Sequence, residues 1–501
     1  MKKVLFVFML MVCSMTSSSW AQREATVEQK ALYVTTTDDL KDWMTFLTSE
    51  ECRGRLTGDI GFWRAAQFGA DLFKQWGLEP GGDDGTYFQN FEHPYVMPQE
   101  GGFFTLYLPQ GKEWVGKQYD YPDHYMVGGT SDTGFLQKLD LVYVGYGITA
   151  PELNYDSYKG IDVKGKIVVC ERDIPYKGRD AKLQKAWMPY QYHNFKMTNA
   201  TKHGAAGMLY ISTAGNPNPG YNKDFVYCCI SDSVAKDIFM GTGKDHSAVV
   251  KEMDNTLKPI SFKIDKKADI KAITEWHPEG KGCNVVGILR GTDPSLAPEY
   301  ITIGGHVDHI GFQPYLCPGA QDNASGSIIV LGTAKAICLS GFKPRRTIVF
   351  TLFGGEETGL IGSGFMANHP ILPKDQHKLL INIDCLAAGF GIGARIPQKH
   401  ASLYKYVEDA NNKSVHRPIF LSKGANEIVT RPRTDEANFF VTGVPTLAPF
   451  AFGSTVRIPY HVPGDTMDYL DFDLIRDAVK LMTTVILDVS SVAKIDASPA
   501  D

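Results

Sequence analysis

The sequence lacks a hydrophobic run long enough to cross a bilayer. Its N-terminal apolar stretch, Val4–Cys13, is roughly half of the ~20 residues that a membrane helix needs. It also lacks an excess of basic charge. Lys and Arg number 51 against 56 Asp and Glu, a formal charge of −5, which gives no electrostatic reason to bind nucleic acid or an anionic membrane. Cysteine is present at nine positions, but in no spacing that suits a zinc finger or a small disulfide scaffold. The vicinal pair Cys228-Cys229 reads as strand residues facing opposite sides. No internal repeat, coiled coil or low-complexity tract is found. What remains, with 43% hydrophobic and 21% charged residues over 501 positions, is a soluble globular chain of two or three domains.

The first 21 residues differ from the rest. Lys2 and Lys3 precede the apolar run, and Ser19-Trp20-Ala21 offers a small-x-small cleavage site, the layout of a secretory signal peptide. Met11-Val12 before Cys13 lacks the small residue that lipoprotein processing needs, so a free periplasmic or secreted protein without a membrane anchor is expected. Removing residues 1–21 leaves 49 basic against 56 acidic residues, a formal −7.

Residues 22–134 are expected to form an N-terminal helical part of the main domain. Leu40, Trp43, Met44 and Leu47 fall at helical spacing, with Thr37 or Asp38 as cap, and a second helix runs from about Gly61 to Trp76. Residues 135–265 read as a small β-rich insertion. From 266 to 501 the pattern is strand, loop, helix, repeated. Tyr300–Ile303, Thr347–Phe353, Leu379–Ile383 and Val444–Leu447 read as strands, and Asp322–Leu339 and Phe472–Val492 as helices. Near-continuous apolar strands alternating with helices predict an α/β fold, a mostly parallel mixed sheet covered on both faces.

Ligands of such a sheet bind beyond the carboxyl ends of its strands. The chemistry-bearing residues fall there: His306 after one strand, Glu356-Glu357 after a second, Asp384 at the end of a third, Asp322 at the mouth of a helix and His461 before the last one. Singly each has an ordinary reading. Asp322 alone is a helix N-cap, Glu356-Glu357 a solvated turn, and either histidine a structural one. Together they form an imidazole and carboxylate set that suits zinc or similar divalent ions. Charge balances too. Two divalent ions match three carboxylate ligands and a hydroxide, which leaves one carboxylate as a base.

Residues 283–490 resemble the catalytic domain of the co-catalytic zinc exopeptidases of the aminopeptidase Y type, whose relatives include glutamate carboxypeptidase and glutaminyl cyclase. The matching motifs are His306-Val307-Asp308-His309, Asp322-Asn323-Ala324-Ser325-Gly326, Glu356-Glu357-Thr358-Gly359, Asn382-Ile383-Asp384 and Tyr460-His461-Val462-Pro463-Gly464-Asp465, in family order. Residues 135–265 resemble a protease-associated domain, and Thr48-Ser49-Glu50 through Arg53-Gly54-Arg55 fits the family's N-terminal segment. The resemblance implies two divalent metal ions, zinc in the family, bridged by Asp322. His306 and Asp384 would complete one site, and Glu357 and His461 the other. Glu356 would be the general base, Asp308 would orient His306, and Tyr460 would be a candidate hydrogen-bond donor to the tetrahedral oxyanion. His309 reads as structural.

The implied activity is release of N-terminal residues from peptides. A glutamate-carboxypeptidase reading is kept open by Arg431, Arg433 and Arg457. Glutaminyl-cyclase-like acyl transfer uses one metal, and a receptor-like relative would have lost ligands; the full set present here argues against both. Two departures stand out. Cys385 follows Asp384 where relatives carry an apolar residue, and Thr434-Asp435-Glu436 replaces a Ser-Asp-His run.

Overall fold

The computed structural model describes residues 25–175, 181–212, 217–313, 315–421 and 432–499. The expected signal peptide, residues 1–21, lies outside the described residues, as does Arg431. Among the described residues no helix is long and apolar enough to cross a membrane.

The larger sheet has nine strands. Its centre is parallel: Thr347–Phe353, Tyr300–His306, His377–Asn382 and Thr446–Phe452 lie side by side in that order. Antiparallel strands flank this core, Lys281–Leu289 on one side and Gly391–Arg395 on the other. The central strands alternate between two apolar faces. Ile301, Ile303, Ile348, Phe350 and Ile381 pack on the helices Ser325–Leu339 and Phe472–Ser491. Tyr300, Val349, Phe353 and Leu380 pack on the helices Ile361–Asn368 and Glu436–Val441. A strand buried on both faces is apolar nearly throughout, which explains the run Thr-Ile-Val-Phe-Thr-Leu-Phe at 347–353, where only two threonines interrupt large apolar side chains.

The N-terminal helices are Val27–Val34, Thr37–Leu47 and Ile60–Gln75. The second is capped by Thr36, one residue before the expected cap. The Thr36 side chain accepts from the Asp39 N–H while Asp39 returns to the Thr36 N–H, a reciprocal capping box. Leu40, Trp43, Met44 and Leu47 form its buried face as expected.

The smaller sheet has eight strands. Its parallel centre is Gly134–Tyr143, Ile167–Glu171, Gly207–Ile211 and Val226–Ile230. Cys228 and Cys229 lie on the last strand and enter different apolar clusters, so they do face opposite sides. This sheet reaches beyond the expected 135–265 window at both ends. The hairpin Phe103–Gln110/Glu113–Gln118 and the strand Tyr125–Val127 join it from the N-terminal side, and its strand Phe262–Ala272 runs past residue 265. A hairpin's own sequence specifies its turn but not the sheet that its edge will pair with. The N-terminal part is therefore helical only as far as about residue 76 and then becomes strand.

Loops of the larger domain share an apolar cluster with the smaller domain. Ile310 and Cys317, from the loop that follows the strand Tyr300–His306, are fully buried among Val144, Val168, Met197 and Tyr227 of the smaller domain, and Val462 packs against the same cluster.

Candidate metal centre

Parallel register puts the ends of the central strands level. His306 pairs with Phe353, and Gly304 with Asn382. His306 is thus the last strand residue, Glu356 and Glu357 lie three and four residues past one neighbouring strand end, and Asp384 lies two past the other.

Asp322 does not begin a helix, contrary to the sequence reading. Its backbone is extended (φ −115°, ψ 96°), the Asp322–Asn323 peptide is cis, and the regular helix starts at Ser325. The residue is held from outside. Asp465 Oδ2 accepts the Asp322 N–H at 3.0 Å and Asp465 Oδ1 accepts the Gln321 N–H at 2.8 Å. Asn323 ties this turn to the Asp384 loop: its Nδ2 donates to the Ile383 carbonyl at 2.9 Å, and its Oδ1 accepts the Cys385 N–H at 3.1 Å. The turn packs tightly against that strand, since a Cβ on Gly326 would stand 2.4 Å from both Asn323 Oδ1 and the Ile383 carbonyl oxygen.

The expected side chains converge. Asp322 Oδ1 lies 3.3 Å from His306 Nε2, and its Oδ2 lies 3.1 Å from His461 Nε2. Asp384 Oδ1 is 3.6 Å from His306 Nε2, and Glu357 Oε2 is 2.8 Å from His461 Nε2. His306 Nδ1 meets the Asp308 carbonyl oxygen at 3.2 Å. A carbonyl only accepts, so Nδ1 carries a proton, and Nε2 is the ring nitrogen that faces the cluster. Groups able to hold an ion include His309, Asp322, Glu357 and His461 on one side and His306, Glu356 and Asp384 on the other.

Asp308 sits differently from its expected place. Its carboxylate is 3.7 Å from His306 Nδ1, farther than its own carbonyl. The carboxylate instead accepts the N–H of Glu356 at 3.2 Å and of Glu357 at 3.3 Å, and so shapes the turn that carries both glutamates. His309, read from the sequence as structural or at the rim, is buried beside Glu357. Its Nδ1 donates to Glu357 Oε1 at 2.7 Å, which leaves Oε2 to face His461. Tyr460 stacks on His461 with ring centroids 3.8 Å apart and is 55% exposed. Arg433 and Arg457 are exposed.

Asp465, Asn323 and Asp435 lay in segments quoted from the sequence but were given no role there. The same holds for Arg55. Its fully buried guanidinium donates to the carbonyls of Leu47, Val307, Pro318 and Gly319 at 2.6–2.8 Å, clamping the loop between His306 and Asp322. Gly54 beside it has φ 68°, and a Cβ there would stand 2.5 Å from the carbonyl oxygens of Gly311 and Cys317.

Carboxylates dominate the electrostatics. Loss of water raises the Glu356 carboxyl well above its ordinary value; His306 opposes this, while Asp435, Glu357 and Asp384 add to it. Burial, with Asp308 and Asp384, pushes the Asp435 carboxyl up to about 8 against His306. Glu357 goes the other way, to about 2, because His461 and His309 outweigh burial and the Asp322 charge. No lysine or arginine is within ion-pair distance of Asp308, Asp322, Glu356, Glu357, Asp384, Asp435 or Asp465 among the described residues. Burial lowers the His306 and His461 values, but the surrounding carboxylates outweigh it and hold His306 well above its ordinary value and His461 at about 10. Carboxylates still outnumber imidazoles in the cluster, and buried charge without full compensation is costly. The donor set therefore fits divalent cations, both by ligand chemistry and by charge.

The fold and this cluster define an α/β domain built to hold divalent metal at the carboxyl ends of its parallel strands. Residues 284–486 are a Peptidase family M28 domain, and residues 137–238 are a PA domain. Aminopeptidase YwaD of Bacillus subtilis is 23% identical over 363 residues, covering 68% of this chain and 67% of that protein. The probable leucine aminopeptidase 1 of Trichophyton verrucosum is 27% identical over 219 residues, 40% of this chain; the chain spans 57% of that relative's length. The solved aminopeptidase from Aneurinibacillus sp. strain AM-1 superposes with a TM-score of 0.64 at 19% identity, over 95% of this chain and 98% of that one.

Proposed function

We propose that the protein is a two-zinc aminopeptidase. The observation that carries this reading is the orientation of Asp322, whose two carboxylate oxygens face two different histidines, His306 and His461. A carboxylate so placed could ligate two ions at once. His306 and Asp384 would help to hold one of them, and Glu357 and His461 the other. When bound, the ions would supply Lewis-acid chemistry, acidifying water and polarising the scissile carbonyl.

The chain's own groups do the rest. Glu356 stands beside the pair with its proton affinity raised by desolvation and neighbouring carboxylates, which suits a base that takes a proton from water and hands it to the leaving amine. His309 and Asp308 keep Glu357 and the glutamate turn in place. The partly exposed Tyr460, stacked on His461, is positioned to offer its hydroxyl at the rim. The names of the relatives support a free N-terminus as the group recognised.

The test is hydrolysis of aminoacyl amides and their N-blocked forms by the zinc-loaded protein, beside Glu356→Gln. The parent is expected to cleave free N-termini only. The variant is expected to lose about 10²–10⁴-fold in kcat while it keeps its zinc. Equal activity in the two proteins would reject the base assignment, and cleavage of blocked substrates alone would reject the aminopeptidase reading.

A further inference from the structure

Cys385 is a chemically active group at the centre that the proposed mechanism leaves unused. Its Sγ, one Asp322 carboxylate oxygen and one Asp384 carboxylate oxygen all lie within 4.8 Å of one another. Most other cysteines of the described chain are ordinary core residues. Cys228, Cys229, Cys283 and Cys317, for example, are buried in apolar clusters. Cys385 alone among the described cysteines stands with two carboxylates in a group able to hold an ion.

Its placement is held from both sides of Asp322. Asn323 Oδ1 accepts the Cys385 N–H at 3.1 Å, and Gln321 Nε2 donates to the Cys385 carbonyl at 2.7 Å. The backbone there is left-handed, with φ 56°, a conformation that a residue with a Cβ seldom adopts. The two neighbours of Asp322 thus keep the thiol next to the carboxylates.

We propose that Cys385 Sγ is an additional ligand of the ion held by His306, Asp322 and Asp384. The inference rests on the two-ion reading above. Zinc accepts thiolate at about 2.3 Å and carboxylate or imidazole at about 2.0–2.2 Å, so one sulfur and two oxygens this close reach a single ion through small side-chain rotations. Ligation exchanges the S–H bond for a sulfur–metal bond and releases the proton to solvent. The consequence is an asymmetric pair. The half with Cys385 favours soft, thiophilic ions, and the half with Glu357 and His461 offers only nitrogen and oxygen.

The experiment loads the full-length protein with Co²⁺ and records its absorption, for the parent, Cys385→Ser and Cys385→Ala. Visible ligand-field bands report bound cobalt, and a near-ultraviolet charge-transfer band reports a cobalt–thiolate bond. The expected result is ligand-field bands in all three proteins and the charge-transfer band in the parent only. A fall of about tenfold or more in Cd²⁺ affinity in both variants should accompany it. Ligand-field bands in the parent without a charge-transfer band would overturn the inference and leave the metal centre standing. So would a charge-transfer band that survives in both variants. Absence of stoichiometric cobalt binding by the parent would instead reject the metal-centre reading, and this inference with it. Cys385→Ser keeps the size and polarity of the side chain, so the comparison holds if the alanine variant folds poorly.

Discussion

The strand Ile167–Glu171 in the smaller sheet and the strand Thr347–Phe353 in the larger one are both buried, with a strand neighbour on each side, and both lead to carboxylates at their carboxyl ends. What meets those carboxylates differs. In the smaller domain, Glu171 Oε1 accepts from Tyr143 Oη at 2.9 Å and His246 Nε2 at 2.7 Å, and its backbone carbonyl accepts the fully buried Lys196 ammonium at 2.6 Å. The protein supplies every partner. In the larger domain the carboxylates face histidines and one another, with no lysine or arginine in reach among the described residues. A closed polar network stabilises its own domain, whereas an anionic cluster left open is a place for a cation from outside.

Metal removal is the strongest way to break this comparison. An ion at a thousandfold excess over its dissociation constant adds about 4 kcal/mol per site. A chelator is therefore expected to lower the melting temperature of the parent sharply. Glu171→Gln, measured in the same scan, should shift the starting temperature but leave the chelator effect intact. If chelation changes nothing in calorimetry, the open cluster is not a metal site.

The shared cluster offers a finer cut. Ile310→Ala and Val142→Ala both hollow it, as both side chains are fully buried there. The isoleucine change should cost about 2–5 kcal/mol in denaturant unfolding, and the smaller valine change should cost less. Only Ile310→Ala is expected to weaken zinc binding, because Ile310 adjoins His309 and its loop carries the Arg55 contacts. Equal zinc affinity in the two variants would mean that the smaller domain does not brace the centre.

The smallest effect is expected inside the smaller domain. Burial lowers the His246 pKa, but Glu171, helped by Asp232 and Asp245, outweighs it and leaves the value raised. A raised histidine stabilises the fold fully below its unfolded value of about 6.5, and that stability is lost as pH rises through the folded value. Denaturant unfolding of the parent should therefore weaken from about pH 6.5 upward relative to Glu171→Gln. Parallel pH profiles would show that the pair contributes nothing.

Much of the site was legible in sequence because catalytic groups of a parallel sheet gather at strand ends, and strand ends are marked locally by glycine and by the close of an apolar run. His306, Glu356, Glu357 and Asp384 were located in this way. Asp322 was located but given the wrong backbone, since an aspartate before an apolar helical run looks like a cap whether or not the turn is bent by Asp465. Asp308 was assigned to His306 by the family resemblance, yet its carboxylate spans to the glutamate turn 48 residues on. Asp435 was seen only as a departure from a family pattern, as its burial depends on packing that no local signal reports.

The sequence by itself determined the strand and helix pattern, the apolar faces and the set of imidazole and carboxylate groups, because periodicity and residue chemistry are local properties. Tertiary structure decided the rest. It turned Asp322 so that each oxygen meets a different histidine, aimed His309 at Glu357, brought the 103–118 hairpin to the smaller sheet and set the Cys385 thiol beside two carboxylates. Each of these depends on contacts between residues far apart in the chain, where direction and distance are fixed by packing.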